Sequence, residues 1–298
     1  MFNHTASPFC YKYEDPPVTA LSVGLSPAQI SALMLTDPAA QPDLHLRDTK
    51  HRLDLISKCG IPLGAKVLEI GCGRGEFTAV LADVVGPTGH VTGIDFGLVD
   101  EGTPITPHQS RTHLSSTILG PRITWTTTTP SPLTFLATPP TKYDIAVLAH
   151  SAWHTPNLYE TLAALSSLTS RLCIAEWSLS SSSGAGLPHI LAVLAQAVIA
   201  PRNTSVVSPI GIKQMAREGG WMLETEAFVT PHEELRDARR EVEALGSERF
   251  RTDLEGVGDE KRVGAVRALV DAARMGLREG GDVPCMDVWC GVFRIGEE

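Results

Sequence analysis

The sequence predicts an α/β protein built on a doubly wound parallel sheet. Three observations lead to this fold class. Short apolar segments alternate with helical apolar patterns between residues 65 and 177. The first of these segments, residues 67–70, runs into a turn with three glycines and then into a helix. The next segment, residues 90–95, ends in an acid. Strands that alternate with helices pair in parallel through crossover connections, so one sheet with helices on both faces is expected.

The turn after the first strand is predicted to lie against a ligand. It reads E-x-G-x-G-x-G from Glu69, with Gly71, Gly73 and Gly75 at alternate positions. A backbone without Cβ atoms lets a ligand come close, and the N–H groups that open the following helix favour a polar or anionic group. The dinucleotide pattern G-x-G-x-x-G does not fit, because Glu76 stands where its last glycine would be. A tight turn that holds no ligand is the alternative.

The second strand supplies an acid at the expected distance. Residues 90–95 end in Asp95, twenty residues past Gly75. An acid at this place in a doubly wound fold accepts hydrogen bonds from the two hydroxyls of a ribose. The glycine turn and Asp95 together therefore predict a nucleoside-containing cofactor.

Further elements follow along the chain by the same periodicities. Helices are predicted to begin at Ser26-Pro27 and to cover 44–56, 76–84, 106–119, 131–137, 157–168, 187–200, 212–218, 233–244 and 263–277. Strands are predicted over 123–128, 144–149, 172–177, 221–229 and 286–295. Asn157 and Glu160 have capping-box spacing at the start of one helix. Residues 1–60 are interpreted as an N-terminal helical cap, and residues 61–298 as the cofactor-binding domain with helical insertions between its last strands. A packed extension without substrate contact is an equal alternative for the cap.

Composition excludes several classes of function. The net charge of −9 comes without any basic run, so DNA and RNA are not expected as partners. No signal peptide is expected at the N-terminus, and the apolar segment 187–200 is too short to span a bilayer. The six cysteines form no C-x-x-C pair, which argues against zinc, and Cys72 and Cys173 are predicted to be reduced core thiols. These features predict a cytoplasmic protein without a metal site.

The glycine pattern resembles motif I of the class I S-adenosylmethionine (SAM) dependent methyltransferases. The order of elements resembles their seven-stranded, mostly parallel sheet with the last strand inserted antiparallel. A further likeness is to fungal small-molecule methyltransferases of secondary metabolism. It is carried by Asp100-Glu101-Gly102, Ala149-His150-Ser151-Ala152-Trp153 and Ala175-Glu176-Trp177.

The resemblance implies a set of cofactor contacts. The methionine part of SAM is expected at the turn formed by Glu69, Gly71, Cys72, Gly73 and Gly75. Asp95 is expected to bind the ribose and Phe96 to pack on the adenine. Family members often carry an Asp after the third strand that binds the adenine amino group, whereas this chain has Thr128 and Thr129 there. The resemblance implies that a hydroxyl of Thr128 or Thr129 makes this bond more weakly, or that a backbone group makes it. The acid cluster of metal-dependent catechol methyltransferases is not evident, which implies a metal-independent reaction.

The catalytic residues are expected where strands four and five end, since ligands of such sheets bind at the carboxyl ends of the strands. His150 is the candidate general base, because His titrates near neutral pH, and it is alternatively a residue that lines the cofactor site. His154 is the second candidate base or a loop residue. Glu176 orients the base, binds an amine or forms a salt bridge. Trp153 and Trp177 are substrate walls or packing residues.

The expected function is transfer of a methyl group from SAM to an O, N or S atom of a small-molecule acceptor, with S-adenosylhomocysteine as product. Two alternatives remain at this point. One is a SAM-binding enzyme that catalyses an elimination, a cyclisation or a pericyclic reaction, and the other is a non-catalytic binding protein with the same fold. The identity of the acceptor and the oligomeric state are not readable from the sequence.

Overall fold

A computed structural model of the chain describes residues 24–37, 43–97, 100, 104–128, 131–137, 141–199, 205–277 and 283–296. Seven strands form one sheet in the order β3-β2-β1-β4-β5-β7-β6. They are β1 (Lys66–Ile70), β2 (His90–Asp95), β3 (Ile123–Thr127), β4 (Ile145–Ala149), β5 (Arg171–Trp177), β6 (Trp221–Val229) and β7 (Val288–Ile295). β1 to β5 pair in parallel, and β7 is antiparallel to both β5 and β6. The predicted fold class is confirmed, including the inserted last strand.

The described residues also form eleven α-helices. They are α1 (Pro27–Ser31), α2 (Leu44–Cys59), α3 (Glu76–Val84), α4 (Pro107–Ser115), α5 (Leu133–Leu136), α6 (Leu158–Leu165), α7 (Leu187–Ile199), α8 (Pro209–Glu218), α9 (Asp237–Ala244), α10 (Glu248–Glu255) and α11 (Glu260–Met275). Within the described part of the chain, no helix is long and apolar enough to cross a membrane.

The central strands are buried on both faces. Val67 and Val147 belong to one core cluster with residues of α1, α2 and α3, whereas Leu68 and Leu148 belong to another with α6 and α8. Successive side chains of a strand point to opposite faces, so a continuous apolar run is what a strand between two helical layers requires.

A third helical layer lies near the end of β5. Residues of α7, α9, α10 and α11 form their own buried cluster, and Trp177 at the end of β5 packs against it. α7 and α8 connect β5 to β6, and α9, α10 and α11 connect β6 to β7. These insertions therefore bring additional helices to the carboxyl end of the sheet.

Several predicted details differ from the structure. α10 was not predicted, because its apolar pattern is weak; Ser247 starts it by accepting a hydrogen bond from the backbone N–H of Phe250 at 3.1 Å. The capping box at Asn157 is wrong, since this residue has a left-handed backbone (φ 52°) and its side chain makes no cap bond. α4 ends at Ser115 rather than at residue 119.

The N-terminal helices share the core of the sheet. Ile30 of α1 and Leu55 of α2 are fully buried in the same cluster as Val67 of β1. The backbone N–H of Leu25 donates to Asp83 of α3 at 3.0 Å. α2 consequently lies across one face of the sheet, where its buried side chains reach the central strands.

Cys173 is joined to Cys59 by a disulfide, so the prediction of a reduced thiol at this position is wrong. The two residues are 114 positions apart in sequence, and no spacing pattern links them. They meet because the C-terminal end of α2 packs over β5, with Cα atoms 5.6 Å apart. Cys72, Cys285 and Cys290 are buried and free.

Candidate active site

The three glycines of the turn after β1 have different neighbours. All three have a positive φ, at 81° for Gly71, 51° for Gly73 and 89° for Gly75. A Cβ added at Gly71 would lie 2.5 Å from Cβ of Ser151, and one at Gly75 would lie 2.6 Å from the Trp125 ring. A Cβ added at Gly73 would meet nothing within 4 Å. Two of the glycines therefore permit close packing of the fold, and Gly73 borders open space.

Glu69 lies beneath this turn, almost fully buried. Its Oε2 accepts a hydrogen bond of 2.5 Å from the hydroxyl of Thr78 in α3. Burial raises the pKa of the Glu69 carboxyl to about 7, although the Thr78 bond and the charge of Arg111 act in the opposite direction. Glu69 thus ties α3 to β1 and sets the position of the turn between them.

Asp95, at the end of β2, is paired with Arg111 of α4, a residue that the sequence did not single out. The same guanidinium donates to the carbonyl of Gly73, with its Nε at 2.7 Å. The other oxygen of Asp95 accepts from the backbone N–H of Phe96 at 3.0 Å. A carboxylate has about four lone-pair positions, so ribose hydroxyls still find acceptors on Asp95. Arg111 therefore holds the Asp95 carboxylate and the Gly73 carbonyl, which are the two points beside which the cofactor is expected.

Thr128 follows β3 directly beside Asp95. Its backbone N–H donates to the carbonyl of Asp95 at 2.7 Å, and its hydroxyl is buried without a hydrogen-bond partner. An orphaned buried hydroxyl next to the acid that is expected to bind the ribose fits a contact to the nucleoside of SAM. Thr129, the other expected contact, lies outside the described residues. Asp95 and Phe96 also line a cavity of about 830 Å³, here named the Asp95 cavity.

His150 stands at the end of β4 with a left-handed backbone (φ 50°). This conformation is uncommon outside glycine and is held here by a hydrogen bond from the His150 N–H to the carbonyl of Ala175 at 2.8 Å. Strained backbone of this kind persists where the surrounding structure over-determines it, often at functional sites. The turn places the imidazole between the ends of β4 and β5 and the helix α2.

Two groups flank the ring nitrogens of His150. Its Nε2 lies 3.1 Å from Nε2 of His51, a buried residue of α2. Its Nδ1 is buried without a hydrogen-bond partner and lies 3.6 Å from Oε1 of Glu176. Burial and the neighbouring His150 hold the pKa of His51 well below its usual range, so the ring of His51 stays neutral.

Glu176 and Trp177 complete this end of the sheet. The buried carboxylate of Glu176 accepts hydrogen bonds from the backbone N–H groups of Trp177 at 3.0 Å and Trp153 at 3.3 Å. The Trp177 ring lies 4.5 Å from the His150 ring and 4.8 Å from that of His189, centroid to centroid. Burial lowers the pKa of His189 to about 4, and its Nδ1 accepts from the backbone N–H of Met286.

A cavity of about 400 Å³ opens at these side chains, here named the His150 cavity. The five predicted catalytic and wall residues all line it, together with residues of α7, α9 and α10. Those five are His150, Trp153, His154, Glu176 and Trp177, and the helical residues include Val193, Gln196, Glu241, Arg249 and Phe250. Trp153 and His154 also line the Asp95 cavity, so the two cavities share a wall.

Sequence reasoning missed His51, Arg111, Gln196 and Glu241. His51 falls one turn before the buried Leu55, so helical periodicity placed it on the buried face of α2 without indicating its partner. Arg111 and Glu241 belong to helices with ordinary charged patterns, and only the tertiary fold brings them to the two cavities. In the described part of the chain, no group of three or more His, Cys, Asp or Glu side chains is arranged to hold a metal.

Comparison with known proteins gives concordant results. A family model described as a methyltransferase domain matches residues 44–226. The methyltransferase phomM′ of Diaporthe leptostromiformis is 26% identical over an alignment of 286 positions that covers 76% of this chain and 73% of that protein.

Two solved structures extend the comparison of folds. A cyclopropane-fatty-acyl-phospholipid synthase-like protein from Lactobacillus casei superposes with a TM-score of 0.77 at 26% identity, covering 90% of this chain and 98% of the other. The [4+2]-cyclase SpnF superposes with a TM-score of 0.52 at 15% identity, covering 88% and 85%, and this likeness shows the fold alone.

Proposed function

This chain belongs to the methyltransferase domain family and is a SAM-dependent enzyme; from that premise we propose that it methylates a small molecule held in the His150 cavity. The observation that carries the proposal is the position of this cavity. It opens at the carboxyl ends of β4 and β5, where His150 and Glu176 face it, and it shares a wall with the cavity beside Asp95. Ligands of doubly wound sheets bind at this edge.

The residues around the glycine turn fit the cofactor. The open space at Gly73 would receive the methionine part of SAM, and Asp95 would accept the ribose hydroxyls. Phe96 would pack on the adenine, and the unpartnered Thr128 hydroxyl would bond to it. When bound, SAM supplies an electrophilic methyl group on its sulfonium. Arg111 holds Asp95 and the Gly73 carbonyl in place, so much of this site is formed before any ligand arrives.

His150 acts as the general base through Nδ1. His51 stays neutral. We assign the tautomer in which His150 donates its Nε2–H across the 3.1 Å contact to Nε2 of His51, which leaves the lone pair of His150 on Nδ1. The proton taken from the acceptor then resides on Nδ1, which lies 3.6 Å from Oε1 of Glu176, and the charge of this carboxylate stabilises the imidazolium. In this mechanism His51 and Glu176 are positioning residues, and His154 is the second candidate base.

The remaining work of the enzyme is alignment. Methyl transfer is an in-line displacement, so rate comes from holding the nucleophile against the methyl carbon and from excluding water. Trp153 and Trp177 line the cavity on the sheet side, and Val193 and Phe250 line it on the helical side.

The proposal is tested with labelled SAM and a panel of phenol, thiol, amine and carboxylate acceptors, read by mass. We expect a mass gain of one methyl group on one acceptor class, with S-adenosylhomocysteine released in equal amount. His150→Ala should bind SAM nearly as wild type does and lose about 10²–10⁴-fold in turnover, the effect of removing one positioned base. Acceptor conversion without release of S-adenosylhomocysteine would show a non-methylating reaction instead.

A further inference from the structure

We propose that the His150 cavity takes an amine acceptor, bound as its ammonium ion and methylated on nitrogen; this inference rests on the proposed methyl transfer. Three features of the cavity support this inference: its charges, its unpartnered polar atoms and its apolar walls.

The cavity is negatively charged. Glu176, Glu241 and Asp253 line it, and Arg249 is the only Lys or Arg among the described residues of its lining. Arg249 lies at the rim with its side chain 87% exposed, and its Nε is 3.9 Å from Asp253. Two carboxylates therefore face the cavity without a cation from its own walls. Like charges repel strongly when water is excluded, so carboxylate and phosphate acceptors are disfavoured and a cation is favoured.

Glu241 of α9 offers an acceptor site in the cavity that His150 also lines. Its Oε2 accepts a hydrogen bond of 2.7 Å from Gln196 of α7, which holds the carboxylate in place. Burial raises the pKa of Glu241, Asp237 adds to this effect, and the neighbouring His154 and Arg240 act against it. A positive ligand would act in the same direction as His154 and Arg240, because it stabilises the ionised carboxylate.

Two acceptor atoms lie side by side at the catalytic end. Nδ1 of His150 and Oε1 of Glu176 are 3.6 Å apart, which is too long for a hydrogen bond, and Nδ1 is buried without a partner. An ammonium group carries two or three N–H donors and satisfies both atoms at once. The Trp177 ring beside His150 adds a π face, which attracts cations.

The remaining walls describe the body of the acceptor. Val193, Ile199, Val206 and Phe250 give an apolar lining beyond the polar groups. An amine on an apolar aliphatic or aromatic body matches this distribution of charge and apolar surface.

Atoms and electrons balance in the transfer of the methyl group to nitrogen. The ammonium ion gives one proton to Nδ1 of His150 and becomes a neutral amine. Its nitrogen lone pair forms the new N–C bond to the methyl carbon, while the electron pair of the breaking C–S bond stays on sulfur. The products are an N-methylammonium ion and S-adenosylhomocysteine.

The test uses three probes with one phenylalkyl skeleton: 2-phenylethylamine, 2-phenylethanol and 3-phenylpropanoate. Binding is measured by calorimetry with and without S-adenosylhomocysteine, and methylation by mass with SAM. We expect the amine to bind at least about tenfold more tightly than the alcohol, as a hydrogen bond to a charged group predicts. The carboxylate should not bind, and only the amine should gain a methyl group.

Glu241→Gln provides the matched variant. It should weaken amine binding by about tenfold and leave binding of the alcohol unchanged. Glu243→Gln, an exposed residue of the same helix that pairs with Arg239, is the control and should change neither. Failure of the amine to bind, equal binding of amine and alcohol, or methylation of the alcohol alone would overturn the inference. The proposed function is tested separately, by measuring SAM binding and the methylation of any member of the acceptor panel.

Discussion

At the scale of single residues, the glycine turn separates cofactor binding from packing. Gly73→Val should lose some stability, because a β-branched residue is strained at a φ of 51°, but it should still fold, because its Cβ meets no atom within 4 Å. It should lose the thermal shift that SAM causes in wild type, because the branched side chain fills the binding space. Gly71→Ala should destabilise the protein through a clash, since its Cβ would lie 2.5 Å from Cβ of Ser151. Thermal melts of both variants with and without SAM check this. A Gly73→Val protein that still shifts with SAM would contradict it.

The contact between His51 and His150 gives a second prediction at this scale. His51→Phe removes the acceptor for Nε2 of His150, and turnover should fall by about tenfold or more with SAM affinity unchanged. The midpoint of the pH–rate profile should move, which loss of packing alone would not cause. His51→Gln keeps an acceptor and should restore part of the rate.

The control for this prediction is His45→Gln, a less buried histidine of the same helix. It should change neither the rate nor the pH profile. An unchanged profile in His51→Phe would show that the two rings do not act together.

At the scale of elements, the apolar periodicity of the sequence predicted the strands of the sheet but not the side-chain contacts between elements. The strands around the turn were predictable, because residues 145–149 are a continuous apolar run, residues 67–70 are apolar except for Glu69, and the glycines from Gly71 to Gly75 mark the turn that follows. The pairing of Asp95 with Arg111 and of His150 with His51 was not, because each joins elements whose contact depends on tertiary packing. Local pattern fixes which face of α2 is buried, and only the fold decides that His51 meets His150.

The third prediction concerns the disulfide formed by Cys59 of α2, the helix that also holds His51. The Cys59–Cys173 disulfide closes a loop of more than a hundred residues, and loss of such a link typically costs about 2–4 kcal/mol. Reduction should therefore lower the free energy of unfolding by about this amount in denaturant titrations. In Cys59→Ser the same reductant should have no effect. Peptide mass mapping without reductant that finds Cys59 and Cys173 unlinked would refute the prediction.

At the scale of the whole molecule, buried ionisable groups give opposing pH dependences of stability. Glu69 has a pKa of about 7 in the folded protein, against 4.5 in the unfolded chain, so the folded state binds more protons between these values. Its contribution therefore lowers stability as pH rises through this window. His189 has a folded pKa of about 4 against 6.5, so the unfolded chain binds more protons there and stability rises with pH. His51 acts in the same direction as His189.

The variant Glu69→Gln separates the contribution of Glu69 to the pH dependence of stability from the contributions of the two histidines. The amide keeps an oxygen that accepts from the Thr78 hydroxyl, and it cannot ionise. At about 1.4 kcal/mol per pH unit, the wild-type penalty reaches about 3 kcal/mol once the pH exceeds 7 and vanishes below about 4.5. The stability of the variant relative to wild type should therefore increase as pH rises from about 4.5 to 7, and become constant above that. Urea titrations of both proteins across this range measure the difference, and a difference that does not change with pH would mean that Glu69 ionises in the fold as it does in the unfolded chain.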